Sequence, residues 1–252
     1  MRFSKWHAHG NTYLLIERDD LTPALVRRHA KGSDGILEVL ASGPDWARVR
    51  IWNPDGTTAE LSGNGTRIVA RWLAEGTGAE RVRVRVGPRE VAARMLSSGE
   101  VEQQLGAVEV GAPELLEVGE ETIEITPVSV GNPHAVVFRE PDEGELLRLG
   151  PLIERHPRFP GGTNVQLARV DGPHELSVAV WERGAGRTSS SGTSAVAAAA
   201  AAIARGDCAS PVAVRMPGGA LRVEIDAEHQ ALLTGPAVEV PSCPTHGRCE
   251  RG

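Results

Sequence analysis

Hydrophobic and polar positions alternate along much of the chain, and the period of the alternation changes from segment to segment. Residues 81–86 read Arg-Val-Arg-Val-Arg-Val, a period of two that predicts a strand with one exposed face. Similar short runs predict further strands over 11–18, 48–52, 105–110, 122–130, 177–181, 212–216 and 220–225. Because proline lacks an amide proton, Pro127 indicates that the strand over 122–130 is interrupted or lies at a sheet edge.

Three segments have the character of helices. Residues 21–30 include Thr22-Pro23, and threonine followed by proline is favourable at a helix start, as is the preceding Asp20. The run over 67–75 carries a broad apolar face, whereas the run over 195–204 is nearly all alanine and small on every side. A helix of small residues can be enclosed by strands, so we expect a curled sheet around each of these two long helices.

The two long helices begin with similar segments that lie about half a chain apart. Ser62-Gly-Asn-Gly-Thr opens the first helix and Ser191-Gly-Thr-Ser-Ala opens the second. Asn53 precedes the first serine by the same interval at which Glu182 precedes the second. A glycine-rich helix start directs backbone N–H groups and the positive end of the helix dipole to one point. Two such starts facing each other would hold an anion between two hydroxyls, at a site with an approximate two-fold axis.

The duplication predicts two lobes of α+β structure. A chain of 252 residues with 40% hydrophobic content is long enough for two cores. We place an N-terminal lobe at 1–112, a C-terminal lobe at 113–236 and a tail at 237–252. The stretch 111–119 is the best candidate for the linker between the lobes.

Composition narrows the function classes. A net charge of −6 without a basic cluster argues against nucleic acid as a partner. Residues 1–5 lead into no apolar signal segment, and the alanine run is too short to cross a bilayer, so we expect a cytoplasmic protein with no membrane partner. The three cysteines, Cys208, Cys243 and Cys249, do not indicate a disulfide framework. The spacing of Cys243, His246 and Cys249 matches no common zinc pattern, and no metal site is predicted.

Ordered segments along most of the chain resemble the diaminopimelate epimerase family. They are Phe3–Asn11, Gly32–Leu37, Asn53–Arg67, Gly131–Val136, Gly162–Val165 and Glu182–Ser194. The resemblance implies two pseudo-symmetric lobes, each a curled mixed β-sheet around a central helix, with the active site in the cleft between them. It implies inversion at the α-carbon of an amino acid without a cofactor, in which a thiolate removes the α-proton and a thiol on the opposite face returns one. The partner would be a small-molecule amino acid, and a homodimer is compatible with the resemblance.

The sequence departs from that family at its two acid–base cysteines, which are Ser62 and Ser191 here. The pKa of a free thiol is about 8.5, whereas that of a serine hydroxyl is far higher and lies near that of water. A gap of at least about five pKa units makes the alkoxide roughly 7 kcal/mol costlier than the thiolate. Each helix N-terminus recovers about 1–2 kcal/mol, so each serine needs an adjacent base. The resemblance assigns that auxiliary role to His134 and Glu182.

The resemblance also implies a complete set of substrate-binding groups. Backbone N–H groups of four residues at the helix starts would contact the α-carboxylate, namely Gly63, Asn64, Gly192 and Thr193. Side chains that would hold the rest of the substrate are Asn11, Asn53, Asn132, Asn164 and Arg183. The guanidinium of Arg183 would bind a distal carboxylate through two hydrogen bonds, which suits a diacid such as diaminopimelate.

These features predict an amino-acid epimerase or racemase of the diaminopimelate epimerase type. Two alternatives stay open. One is an isomerase or dehydratase of the same fold that uses a single base, and the other is a catalytically silent relative that binds an amino acid.

Overall fold

The computed structural model describes residues 3–18 and 20–241. Within them the chain forms four helices and a sheet of nineteen strands. The helices are α1 (Pro23–His29), α2 (Gly63–Thr77), α3 (Glu143–Glu154) and α4 (Gly192–Ala204). The strands of the first half are β1 (Phe3–Ala8), β2 (Asn11–Glu17), β3 (Gly35–Ser42), β4 (Trp46–Trp52), β5 (Thr58–Ala59), β6 (Arg81–Val86), β7 (Arg89–Met95), β8 (Val101–Ala107) and β9 (Glu109–Val110). Those of the second half are β10 (Glu114–Val118), β11 (Glu121–Ser129), β12 (Pro133–Phe138), β13 (Asn164–Gly172), β14 (Glu175–Glu182), β15 (Gly186–Thr188), β16 (Val212–Met216), β17 (Gly219–Ile225), β18 (Gln230–Gly235) and β19 (Val238–Val240).

The same order of elements occurs twice. In the first half, α1 connects the parallel strands β2 and β3, as α3 connects β12 and β13 in the second. The parallel strands β4 and β6 flank α2 in the sequence, as β14 and β16 flank α4. Antiparallel hairpins complete both halves, β6 to β8 in one and β16 to β18 in the other. This repetition confirms the predicted α+β fold built from two related lobes.

Strand exchange joins the two halves. The long strands β8 and β18 pair with each other, the short strand β19 pairs with β1, and β9 pairs with β11. The segment 111–119, expected to be a linker, contains strand β10. The segment 237–252, expected to be a tail, includes strand β19 near its start. The lobe boundaries at 1–112 and 113–236 stay a prediction.

The two long helices occupy the interiors of the lobes. All eight residues from Ala195 to Ala202 on α4 are at most 4% exposed, and they lie in a core with strands of the second half. On α2, Ile68 and Val69 are fully buried and Leu73 is nearly so. Strands can approach the alanine helix closely because a methyl group fills little space. The expectation that small residues allow a helix to be enclosed by strands is confirmed.

Other local features differ from the sequence prediction. Helix α3 was not predicted, although Asp142 caps it by accepting a hydrogen bond from the Glu145 amide. Pro127 does not interrupt β11, because Thr126, Pro127 and Val128 all stay in register with β12. The Pro127 carbonyl also accepts a hydrogen bond from the Gly111 backbone amide. The strand expected over 105–110 is divided between β8 and β9.

The remaining sequence predictions concern cysteines and membrane spans. Cys208 is buried and free. Cys243, His246 and Cys249 lie outside the described residues. Within the described part of the chain, no helix combines the length and the apolar character that crossing a bilayer requires.

Candidate active site

The helix starts predicted to face each other do meet. Ser62 and Ser191 are the N-cap residues of α2 and α4, both in extended backbone conformation. A Cβ atom added to Gly63 would lie 3.0 Å from Cα of Gly192, closer than an ordinary van der Waals contact, so glycine favours this close approach. The side-chain Nδ2 of Asn64 donates to the Ser190 carbonyl across the contact (2.9 Å). The first turns of both helices, with their free N–H groups, thus converge on one point.

Ser191 lies beside a carboxylate. Its hydroxyl donates to Glu182 Oε2 (3.3 Å), and it makes no capping bond to its own helix. Burial raises the pKa of Glu182, and the hydrogen bond from Ser191 opposes that shift. Glu182 is therefore a stronger base than an exposed glutamate, within hydrogen-bonding distance of the Ser191 hydroxyl.

Ser62 has different neighbours. Its Oγ accepts from the Gly65 amide (3.0 Å) and lies 3.0 Å from the phenolic oxygen of Tyr13 on β2. Asn53, at the interval that matches Glu182, instead donates to Thr57 Oγ1 (2.9 Å) within the turn between β4 and β5. The two-fold relation of the helix starts therefore does not extend to the partners of their serines.

His134 is enclosed, and its hydrogen-bond partners among the described residues are Asn132 and Gln166 rather than either serine. It is 1% exposed, and Gln166 Nε2 approaches its Nδ1 at 3.0 Å. Because an amide nitrogen can only donate, Nδ1 accepts and Nε2 carries the proton that it donates to Asn132 Oδ1 (3.0 Å). Burial and the positive charge of Arg183 lower the pKa of His134 to about 3, although the Gln166 bond acts in the opposite direction. The geometry does not support the expected role as an auxiliary base, since both ring nitrogens are engaged and the imidazole is weakly basic.

Two of the predicted binding asparagines differ in their hydrogen bonding, since Asn164 is bonded within the scaffold and Asn11 has an unpaired oxygen. Asn164 donates to the Pro133 carbonyl (2.9 Å) and accepts from the Arg183 amide (3.0 Å), which ties β12 to the end of β14. Asn11, on β2, is 4% exposed, and its Oδ1 has no hydrogen-bond partner among the described residues. An unpaired buried acceptor is costly, so Asn11 is suited to a ligand that donates.

Arg183 lies at the edge of the site and is paired across the two halves. One guanidinium nitrogen donates to Glu60 Oε2 (3.2 Å) and another donates to the Gly161 carbonyl (3.2 Å). Glu60 is largely exposed, so this ion pair is weak and can exchange for another carboxylate.

Sequence reasoning missed several residues that shape the site. Arg67 is fully buried behind the start of α2, where it donates to the Gly63 carbonyl (3.0 Å) and to Asn64 Oδ1. No carboxylate among the described residues pairs with it, and burial lowers its pKa to about 10. Tyr13 and Gln166 were also missed. Each reaches the site from a strand distant in sequence, and no local pattern marks either residue.

Comparison with known proteins assigns the chain to a family. The diaminopimelate epimerase family model matches residues 126–240. Diaminopimelate epimerase from Synechococcus elongatus is 34% identical over 269 residues, covering 95% of this chain and 96% of the relative. The enzyme of the same name from Desulforudis audaxviator is 36% identical, with 95% and 97% covered. The chain belongs to the diaminopimelate epimerase family. It is an isomerase by that membership.

Solved structures of a predicted epimerase and of a probable racemase share the fold of this chain. A predicted epimerase from Pseudomonas aeruginosa superposes with a TM-score of 0.75 at 16% identity, covering 98% of this chain and 99% of the other. A probable proline racemase from Agrobacterium radiobacter gives 0.74 at 17% identity, with 96% and 92% covered. At these identities the likeness concerns the fold alone. As a diaminopimelate epimerase homologue, the chain keeps the family's architecture and has a serine at both helix starts.

Proposed function

We propose that this chain is a cofactor-independent epimerase that inverts the α-carbon of an amino acid with a second polar end, with diaminopimelate as the leading substrate. The observation that carries the proposal is the meeting of two helix N-termini with one hydroxyl at each, Ser62 and Ser191. This arrangement offers a proton carrier on either side of a bound anion.

The anion would be the α-carboxylate of the substrate. The N–H groups of Gly63, Asn64, Gly192 and Thr193 lie in first helical turns, where intrahelical acceptors are lacking. When the α-proton leaves, its electron pair spreads into this carboxylate, so donors fixed around it stabilise the developing charge. The unpaired Oδ1 of Asn11 would accept from the substrate ammonium.

Proton removal would begin on the Ser191 side. The Ser191 hydroxyl takes the α-proton as it passes its own proton to Glu182, so no free alkoxide forms. A carboxylate whose pKa is raised by burial is a better acceptor for that proton. Ser62, on the opposite helix start, would return a proton to the other face of the α-carbon.

Arg183 would hold the distal carboxylate. Its guanidinium is paired with Glu60, and a substrate carboxylate would replace that exposed partner. His134, neutral and bonded to Asn132, would orient this asparagine toward the substrate rather than accept a proton.

A one-base isomerase is the second candidate, because only Ser191 of the two serines is bonded to a carboxylate in the structure. An enzyme of that kind would tolerate Ser62→Ala, whereas an epimerase with two proton carriers would lose interconversion.

The test is α-proton exchange of LL- and meso-diaminopimelate in heavy water, followed by NMR. We expect exchange and interconversion by the natural chain above the buffer blank, and a decrease of about 100-fold or more in Glu182→Gln. Glu175→Gln is the matched control, because Glu175 lies on the same strand β14 but pairs with Arg215 at the surface. Silence of both the natural chain and its Ser62→Cys/Ser191→Cys variant would refute the proposal for this substrate.

A further inference from the structure

The two serines of the site differ in their partners, and the difference is chemical. Ser191 is bonded to a carboxylate, whereas Ser62 is bonded to a phenol, Tyr13. We propose that Tyr13 is a proton-relay residue that supplies Ser62 with the proton it returns to the substrate. This inference rests on the proposed epimerase function and adds the residue that completes its acid side.

The hydrogen bonds around Ser62 leave its own proton free. A hydroxyl oxygen can accept two hydrogen bonds, and the Gly65 amide already provides one of them. Tyr13 can donate the second across 3.0 Å, so the Ser62 proton is available to the cleft. The ring of Tyr13 is 7% exposed and lies against Gly35, where an added Cβ would come within 2.7 Å of its Cε1. The phenol is thus held in place by close packing.

The relay balances in protons and electrons. The C–H bond at the α-carbon breaks and its electron pair stays with carbon and carboxylate, while one proton moves to Ser191 and the proton of Ser191 moves to Glu182. The carbanion then takes the proton of Ser62 to form the new C–H bond, and the phenolic proton of Tyr13 moves to Ser62 Oγ. The product state holds a neutral Glu182 and a phenolate at Tyr13, and proton exchange with water, or the reverse reaction, restores the start.

A phenol relieves the difficulty that serine introduces. A phenol is intrinsically more acidic than an aliphatic hydroxyl, and although burial raises the pKa of Tyr13, it disfavours an alkoxide at Ser62 in the same way, so the negative charge is more stable on Tyr13 than on Ser62. The buried guanidinium of Arg67, without a carboxylate partner among the described residues, provides a cation for that charge.

The charged groups facing Tyr13 couple the two sides of the site. Burial raises the pKa of Tyr13, and the negative charges of Glu182 and Asp34 raise it further, while the Ser62 bond and Arg67 lower it. When Glu182 takes a proton from the Ser191 side, one of the charges that oppose phenolate formation disappears. Proton uptake on one side therefore favours proton release on the other.

Tyr13 is the only tyrosine of the chain, so phenolate absorbance reports this residue directly without any substrate. We expect a midpoint above that of free tyrosine, lowered by about one pH unit in Glu182→Gln and raised in Ser62→Ala. A midpoint that neither substitution moves would overturn the relay. This measurement stands apart from the proposed function, because it needs no turnover.

Kinetics of Tyr13→Phe provide the second test. We expect interconversion of the two diaminopimelate isomers to fall about 100-fold, while exchange of the isomer whose α-proton faces Ser191 persists. The double variant Tyr13→Phe/Ser62→Cys should recover interconversion, since a thiol needs no phenol behind it. Thr126→Val, which removes a buried hydroxyl on β11 outside the site, is the control.

The outcomes separate the two ideas. Undiminished interconversion by Tyr13→Phe, or equal loss of exchange for both isomers without rescue by Ser62→Cys, would overturn the relay and leave the epimerase function standing. Absence of exchange in the natural chain and in its double-cysteine variant would count against the proposed function, and the absorbance titration would still decide whether Tyr13 is coupled to Glu182.

Discussion

His134 offers a direct test of how the site is built, because its environment predicts a specific dependence of stability on pH. The imidazole is buried, bonded at both nitrogens and close to the positive charge of Arg183, and its pKa is lowered from 6.5 to about 3. In the unfolded chain it regains an ordinary pKa. The folded state therefore resists a proton that the unfolded state accepts, and the stability contributed by a neutral His134 is lost as the pH falls from 6.5 toward 3.

The size of the effect follows from the shift. Each pKa unit corresponds to about 1.36 kcal/mol, so the full shift of His134 amounts to about 5 kcal/mol of unfolding free energy between pH 6.5 and pH 3. That is a large share of the about 5–15 kcal/mol by which folded domains are stable. The slope attributable to this one group approaches 1.36 kcal/mol per pH unit in the middle of the interval.

Urea unfolding at a series of pH values, for the natural chain and His134→Gln, isolates this contribution. Glutamine keeps a donor for Asn132 but cannot titrate, so the other acid-sensitive groups cancel in the difference between the two proteins. We expect the variant to be less stable at pH 7 by about 1 kcal/mol, the value of one hydrogen bond, and to become the more stable protein as the pH approaches 3. His29→Gln, which replaces an exposed histidine in the last turn of α1, is the matched control.

Two results would refute the reasoning. Parallel stability curves for the natural chain and His134→Gln from pH 6.5 to pH 3 would mean that the imidazole is not desolvated. Loss of the acidic limb of kcat/KM in His134→Gln would mean that His134 titrates in catalysis, whereas we assign that limb to Glu182, whose raised pKa moves it toward neutral pH.

Two further predictions concern the geometry of the cleft. Gly192→Ala places a Cβ 2.8 Å from Leu233 Cδ2 and 3.0 Å from Cα of Gly63, which pushes the helix starts apart, and we expect a loss of about 100-fold in kcat by steady-state assay. The control Gly76→Ala adds a methyl on α2 with no atom within 4 Å, so it should keep activity and gain about 1 kcal/mol in urea unfolding, and equal losses in both variants would contradict the clash. Glu60→Gln frees Arg183 from an exposed ion pair, and KM for diaminopimelate should fall by about twofold to fivefold with kcat retained. An unchanged KM would show that Glu60 does not compete with the substrate.

Local sequence patterns predicted many of the secondary-structure elements. The alternation over 81–86 predicted strand β6 with correct bounds, and the alanine run predicted a helix enclosed by strands. Both patterns arise from neighbouring residues, whose period determines which face an element buries. Helix α3 escaped prediction, because the signals at its start are short and Pro151 lies within it.

In the candidate site, too, some features depend on local sequence and others on contacts between distant segments. The duplicated Ser-Gly helix starts determined, by themselves, that two hydroxyls and two sets of free N–H groups exist, because capping depends on residues close in sequence. Which groups stand beside those hydroxyls depends on contacts between distant segments, so the interval that pairs Glu182 with Ser191 fails to pair Asn53 with Ser62. Only the tertiary structure brought Tyr13 to Ser62.

Burial and charge pairing likewise came only from the tertiary structure. A histidine in an ordered motif can be a base or a buried hydrogen-bond donor, and the difference for His134 lies in the strands that exclude water from it and in the charge of Arg183 nearby. The sequence determined which chemical groups are present at the two helix starts. The packing of remote strands around them decided their pKa values, and therefore which of them can move a proton.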